Sequence, residues 1–262
     1  MARVDTLGHF LTDVADAIRT KGGTSEPIQA SSFDTAIVNL PSGDVSAYYK
    51  DLPTTALNST DTLGRWYKLV KKLPPIKLAP TSNSLTSLFQ NCPSEVIEFT
   101  NDTTTSTVKT MNQMFLYCSQ VKTLDLTMFN TSIVTTLANM FDGCSNLETI
   151  NLTGFNTANV TSMASLFNGN SKLVSANLST FTAKASVDMS KAFYNCTHLE
   201  HLDMRAFDFT IASIVTSATS SGTFRNVPTT VEIIVADQTQ KDWFTTNMPS
   251  FTNVKTVAEY EG

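Results

Sequence analysis

One hydrophobic pattern recurs along most of the chain. The stretch at 111–118, MNQMFLYC, has apolar residues at its first, fourth, fifth and eighth positions, and similar stretches return with a Phe at the same place. These anchors are Phe89, Phe115, Phe141, Phe167 and Phe193, at steps of 26 residues, and then Phe224 at a step of 31. A fixed period of about 20 to 50 residues is typical of stacked repeat proteins. The pattern therefore predicts an array of similar units.

Each unit has two halves with different hydrophobic periods. In the copy around Phe115, the first half carries apolar residues at helical spacing, namely Val108, Met111, Met114, Phe115 and Cys118. The second half, Val121, Leu124 and Leu126, ends in the alternation of a strand. We therefore predict an α/β repeat with a parallel sheet on one side and helices on the other. Because a lone unit exposes apolar edges, only stacking completes the core.

A second column follows each Phe by three residues. It contains Cys92, Cys118, Cys144 and Cys196, with Asn170 and Val227 in the other copies. Stacked strands lie about 4.8 Å apart, so neighbouring Cys could reach each other, but small buried thiols are the simpler interpretation. Asn170 and Ala176, the latter in a Leu position, predict looser packing in that copy.

The ends of the chain differ from the repeats. We expect a helical hairpin at 1–43, a linker and cap at 44–75, repeats at 76–236 and a C-terminal cap at 237–262. A short edge strand is expected at 76–78, a last strand around Ile233, and a closing segment at Trp243 and Phe244. The hairpin cannot bury its apolar stripe alone, so it needs a further surface, which is the repeats, another molecule of this chain or a larger assembly. Of these we expect it to attach the chain to an assembly. The attachment residues are Leu7, Phe10, Leu11, Val14, Ile18, Phe33, Ile37 and Leu40.

Composition narrows the function classes. The formal charge is −5 and no Lys/Arg run occurs, which argues against nucleic acid or anionic membranes as partners. No apolar stretch is long enough for a membrane span, and the N-terminus has no signal core, so we expect synthesis in the cytoplasm without Sec export.

Sequence motifs give no catalytic site. His198, His201 and Asp203 resemble a metal or acid/base cluster, but the two His replace unrelated residues of their repeat columns, and the cluster has no fourth ligand and no nucleophile partner. We therefore predict no enzyme activity, no catalytic residues, no metal and no cofactor.

Polar residues alternate with the apolar residues of each predicted strand and should point away from the core. They form columns suited to binding a glycan or a protein surface, although a solvated sheet face must be polar in any case. The candidate ligand-binding residues are Thr123, Asp125, Thr127, Thr149, Asn151, Thr153, Ser175, Asn177, Ser179, His201, Asp203 and Arg205.

The pattern MxxMFxxCxxLxxLDLxxFxTSxVxxM from Met111 resembles the BspA-type leucine-rich repeat of microbial surface proteins. This resemblance covers about residues 76–236 and implies a curved solenoid. Two further segments, LTDVADAIRTKGGTSEPIQASSFDTAIVNLPSG and IIVADQTQKDWFTTN, resemble parts of virion and repeat proteins encoded by bacteriophages of Gram-positive bacteria.

Together these resemblances imply a phage structural protein, on a tail, baseplate or head, that displays the solenoid to a host cell surface. Its expected partners are other virion proteins and host cell-wall glycan or surface protein, with several copies per particle and a possible homo-oligomer. The alternative is a bacterial cell-surface adhesin with the same repeats.

Overall fold

A computed structural model describes residues 76, 78, 80, 83–101, 103–182, 187–210 and 222–262. The predicted hairpin at 1–43, with all eight attachment residues, and the linker at 44–75 lie outside this part of the chain. The expected first strand is represented by Ile76, which pairs in parallel with Phe99.

Small parallel sheets are the main regular structure of the described residues. The strands are β1 (Thr123–Asp125), β2 (Thr149–Asn151), β3 (Ser175–Asn177), β4 (His201–Asp203), β5 (Glu232–Val235) and β6 (Val254–Thr256). Two α-helices, α1 (Gln238–Asn247) and α2 (Val257–Glu261), occur near the C-terminus. The sheet orders are β1-β2 and β3-β4-β5-β6. This arrangement is compatible with the α/β class.

The strand register repeats the sequence period. Leu124 pairs with Ile150, and Ala176 pairs with Leu202, each one period further along the chain. A second row of parallel bridges joins the copies elsewhere on their circumference, through Ser84, Thr110, Thr136, Ser162 and Asp188. Each copy therefore lies on the next in a fixed register.

The predicted helix in each repeat is wrong. In the copy around Phe115, Met114 N–H donates to the Met111 carbonyl at 3.2 Å and Cys118 N–H donates to the Phe115 carbonyl at 3.1 Å. These bonds span three residues, whereas an α-helix requires four. The alternate amides donate to the next copy instead, as Tyr117 N–H does to the Asp142 carbonyl at 2.7 Å. The segment is a series of tight turns.

Left-handed residues stop these turns from becoming helices. Gln113 and Tyr117 both have φ of 57°, and the equivalent residues of the other copies also have positive φ. Apolar residues at i, i+3, i+4 and i+7 fit successive three-residue turns as well as a helix, so the period could not separate them. The sequence signal for a left-handed turn is the residue before each Cys position. It is Asn or Gly in every described copy except one, which has Tyr117.

The core is built from columns of equivalent side chains. Consecutive anchors from Phe89 to Phe224 stack with ring centroids 5.4 to 5.9 Å apart. The Met residues on the Phe side of the repeats are also buried, namely Met111, Met114, Met140, Met163 and Met189. All four Cys are buried and free, which agrees with the prediction of a packing column.

One junction between copies lacks its strand pairing. We call the contact between β1 and β2 the paired joint and the contact between β2 and β3 the open joint. At the paired joint, Leu126 N–H donates to the Asn151 carbonyl at 3.1 Å. The equivalent Leu152 N–H has no such partner in the described residues, although Val174 N–H still reaches the Glu148 carbonyl at 3.2 Å. This copy therefore lacks strand pairing on one side, while its core side chains are buried like those of the other copies, and looser packing stays a prediction.

The C-terminal segment closes the last copy. Phe244 is buried against Phe209, with ring centroids 4.9 Å apart. Gln240 Oε1 accepts the Phe209 N–H at 2.7 Å and so ties the helix α1 to the last copy. The last strand of the sheet is β6, which pairs with β5, so the strand around Ile233 is followed by one more. No helix in the described part of the chain is long and apolar enough to cross a membrane.

Candidate ligand-binding surfaces

The strands present the predicted polar residues on their outer face. We call the twelve candidate residues the strand face. Eight of them are exposed, and Ser175, Ser179, Asp203 and Arg205 are half-buried. The burial pattern of β1, exposed–buried–exposed, is the alternation on which the prediction was based. The outward orientation of this set is thus as expected, but orientation alone does not demonstrate binding.

One column of the strand face has a structural task. Asp125 Oδ1 accepts the backbone N–H and the hydroxyl of Thr127 at 3.0 and 2.9 Å. Asn151 Oδ1 accepts the Thr153 N–H at 3.1 Å. Asn177 and Asp203 bind the amides two residues later in the same way. These side chains close the turn after each strand, as Asx residues commonly do, so part of the column is explained by folding.

Thr123 and Thr149 lie outside the Asx turns that hold other members of the strand face. Both are exposed and lie directly opposite each other in the β1–β2 register. Neither hydroxyl is hydrogen-bonded to any residue that the structure describes. The open joint then separates these two residues from Ser175 and His201, which face each other in β3–β4. The strand face is therefore two adjacent patches.

Charged pairs occupy the C-terminal patch. His201 Nδ1 lies 2.9 Å from Glu232 Oε2, and Lys255 Nζ lies 2.5 Å from Glu232 Oε1. The hydrogen bond from Lys255, followed by that from His201, lowers the pKa of Glu232 despite its desolvation. Arg205 contacts both Asp203 and Glu261, and the hydrogen bonds to these carboxylates raise the pKa of its guanidinium. Such pairs join β4, β5, β6 and α2 and leave fewer free groups for a ligand.

The three residues considered as a metal or acid/base cluster are engaged separately. His201 faces Glu232, Asp203 binds Arg205, and His198 Nδ1 lies 2.5 Å from the Ser171 carbonyl oxygen. In the described ranges, no group of three or more His, Cys, Asp or Glu side chains is arranged to hold a metal ion.

The Cys column has the properties of packing residues. Cys118 Sγ donates to the Phe89 carbonyl at 2.9 Å, and Cys196 Sγ donates to the Phe167 carbonyl at 3.1 Å. Burial raises the pKa of Cys92 and of Cys196 to about 12. A thiol is a nucleophile only as the thiolate, so these residues are unreactive near neutral pH.

The turns carry an exposed aromatic ring that the sequence analysis did not select. Tyr117 is 54% exposed. Its ring lies across Gly143, where an added Cβ would come within 2.2 Å of a ring carbon. An added Cβ at Gly169, one copy further, would meet only Gly143 backbone at 3.7 and 3.8 Å. The Gly pair therefore leaves this part of the surface open beside the ring.

A carboxylate and a carboxamide lie next to the two Gly residues. Asn168 Nδ2 donates to Asp142 Oδ1 at 2.9 Å. The other oxygens, Asp142 Oδ2 and Asn168 Oδ1, have no hydrogen-bond partner within the described part of the chain, and neither is among its fully buried unpaired atoms. Burial, which outweighs the Asn168 hydrogen bond and the charge of Lys191, raises the pKa of Asp142. We call Tyr117, Asp142, Gly143, Asn168 and Gly169 the turn face.

Column comparison could have found the turn face. Tyr117 stands where the other described copies have Asn or Gly. Asp142 stands one period after Leu116, so a carboxylate occupies a position that is apolar in the preceding copy. The sequence analysis treated MNQMFLYC as a helix, in which Tyr117 is an ordinary exposed position. Only the turn geometry makes Tyr117 an exception, because a left-handed Tyr is uncommon.

Comparison with known proteins gives a match for the repeats only. Comparison with curated proteins and with solved structures gives no match. Residues 83–209, slightly less than half of the chain, match a family model described as "Mycoplasma protein of unknown function, DUF285". That family is related to BspA-like surface repeat proteins, so the repeat region is similar to a family of surface-repeat type.

Proposed function

We propose that this chain is a bacteriophage virion protein that displays a leucine-rich-repeat solenoid for binding to a host cell surface. Residues 1–43 attach it to the particle, and the repeats hold a rigid polar surface away from it. The mechanism is binding without a chemical step. The observation that carries the proposal is the exposed Thr123–Thr149 patch, whose hydroxyls the fold does not use.

Regular stacking supports this role. The copies share one hydrogen-bond register and one continuous core, so the exposed groups keep fixed spacing. Rigid groups lose little conformational entropy when a ligand binds. Individually weak contacts then combine when several copies are carried on one particle, because the second contact becomes intramolecular.

A bacterial surface adhesin is the second candidate. The family match favours it, since that family is related to surface repeat proteins of bacteria. Both candidates bind through the strand face. They differ in what carries the chain, a phage particle or a bacterial cell.

Binding of labelled full-length protein to host and non-host cells tests the shared part. We expect strain-selective binding that is weakened at least tenfold in a Thr123→Ala/Thr149→Ala double variant. Thr104→Ala, another exposed Thr whose hydroxyl is outside the strands, is the matched control. Equal binding to all cells, or unchanged binding of the double variant, contradicts a role for the strand face.

Deleting the codons for residues 1–42 tests whether a phage particle carries the chain. We expect the truncated protein to be absent from purified phage particles while the full chain is incorporated. Particles that still contain the truncated chain refute the attachment role of the N-terminal segment. Recovery of the full chain on the surface of the bacterium, with none in particles, favours the adhesin.

A further inference from the structure

The backbone at Tyr117 has a conformation that its side chain disfavours. Its φ is 57°, and the equivalent residues with positive φ are Asn91, Gly143, Gly169, Asn195 and Asn226. Left-handed backbone costs a typical L-residue about 1–2 kcal/mol, whereas Gly and Asn adopt it readily. Folding alone would thus favour Asn or Gly at this position. An exposed aromatic residue kept there at a cost suggests a role outside folding.

The ring lies against the backbone of the next copy. Tyr117 N–H donates to the Asp142 carbonyl at 2.7 Å, and Gly143 N–H donates to the Asn168 carbonyl at 2.7 Å. These bonds hold the backbones of the three copies in register, and the absence of a side chain at Gly143 leaves room for the ring beside the backbone. The result is an aromatic ring that is 54% exposed.

Two hydrogen-bond acceptors lie one residue before the two Gly positions of the turn face. The acceptors Asp142 Oδ2 and Asn168 Oδ1 belong to consecutive copies, whose backbones pair at a spacing of about 4.8 Å. Asp142 is only 9% exposed, so a hydrogen bond to it is shielded from water on one side. An aromatic surface combined with a few placed polar groups is the usual composition of a small-ligand site.

We propose that the turn face is a saccharide-binding site, in which Tyr117 stacks on the apolar face of a neutral sugar ring and Asp142 and Asn168 accept hydrogen bonds from its hydroxyl groups. The open surface over Gly143 and Gly169 admits the sugar. The carboxylate disfavours an anionic sugar at this position. An oligosaccharide runs along the stack of repeats, since the spacing between consecutive copies is close to the length of one sugar unit in an extended chain. This site is separate from the strand face and does not depend on which particle or cell carries the chain.

The repeats themselves supply variants that are compatible with the fold. Tyr117→Asn introduces the residue found at the same left-handed position of three other copies, and it removes the stacking ring. Gly169→Asn places the same residue over the open surface, where an added Cβ makes only ordinary contacts. Tyr117→Trp retains an aromatic surface. Asn195→Gly, in the next copy of the same column, is the matched control.

Calorimetric titration of the full chain with cellotetraose, maltotetraose and a tetramer of N-acetylglucosamine tests the site. We expect at least one of these probes to bind. Tyr117→Asn and Gly169→Asn should each weaken that binding at least tenfold, with Tm unchanged or raised, while Tyr117→Trp, Asn195→Gly and Thr149→Ala retain it. Retained Tm separates a binding role for Tyr117 from a structural one.

Other results overturn the proposal. These are no binding of any of the three probes, unchanged affinity in both Asn variants, or loss of affinity in Thr149→Ala, which would assign the sugar to the strand face. Sedimentation of the free chain tests whether a second molecule of this chain, and not a sugar, covers the turn face. A dimer that Tyr117→Asn dissociates would show that the ring is a contact between two molecules. Selective cell binding without sugar binding would leave the proposed function standing and remove only this site.

Discussion

The paired and open joints are built from the same repeat but differ in the core columns that contain Asn170 and Ala176. Across the paired joint, Cys144 Sγ donates to the Phe115 carbonyl at 3.1 Å, and Leu124 faces Ile150. Across the open joint, Asn170 replaces the Cys, and both polar atoms of its side chain are buried without a partner. Ala176 replaces the Leu of the strand, and the strand pairing is lost. The strand pairing is therefore missing at the junction where these two columns change.

The turn side of the open joint is intact. Phe141 and Phe167 stack at 5.4 Å, Phe141 N–H donates to the Leu166 carbonyl at 3.0 Å, and Asn168 binds Asp142. Repeat proteins are stabilised by interfaces between neighbours, so each side of a junction contributes separately. The comparison teaches that a stack can lose pairing on one side and keep its register through the other.

The largest expected effect is from truncating a stacked Phe. Phe115→Ala and Phe167→Ala should each lower the free energy of unfolding by about 3–5 kcal/mol, because each leaves a cavity in the same kind of column. Urea unfolding of the two variants measures this. Since their ring distances match, similar losses are expected. A much smaller loss for Phe167→Ala would show that the open joint extends to its turn side.

Exchanging Cys and Asn between copies should move the buried unpaired amide from the open joint to another junction. Cys118→Asn buries an amide in a position built for a thiol and should cost about 1–3 kcal/mol, and Asn170→Cys should stabilise by a similar amount because it removes the unpaired amide. Chemical denaturation under reducing conditions gives both values. If Asn170→Cys were neutral or destabilising, the unpaired amide would not be the source of weakness at this joint.

Hydrogen exchange at two equivalent Leu amides compares the joints directly. Leu152 N–H, without the partner that Leu126 has, should exchange roughly tenfold faster, since a net hydrogen bond contributes about 0.5–1.5 kcal/mol. Both residues are Leu in the same repeat position, so their intrinsic rates are similar. Equal protection at neutral pH would contradict an open joint.

The smallest effect concerns pH. Burial raises the pKa of Asp142 above its ordinary value of 3.8. The folded chain therefore binds this proton more tightly than the unfolded chain, and its stability falls as pH rises from 3.8 through the raised pKa. Asp142→Asn cannot titrate, so its stability relative to the natural chain should increase over this window and level off above it. Urea unfolding across the window measures the difference, and a pH-independent difference would contradict the shift.

Repetition explains how much the sequence could predict. The positions of the Phe, Cys and Met columns and the outward set of strand residues followed from a period of 26, because equivalent residues of stacked copies share an environment. The junction without strand pairing lies at the copy that Asn170 and Ala176 distinguish. The turn face was missed because MNQMFLYC was interpreted as a helix, in which Tyr117 is an ordinary exposed position.

The sequence by itself determined the repeat, its parallel stacking and the residues of its core, because hydrophobic periodicity directly reflects which side chains are buried. Only the tertiary structure decided that the turns replace the helices. Apolar spacing is the same in both, and the choice depends on where alternate amides find carbonyl partners, within the turn or in the next copy. The same structure decided which polar groups are used by the fold and which, at Thr123, Thr149 and the turn face, have no hydrogen-bond partner among the described residues.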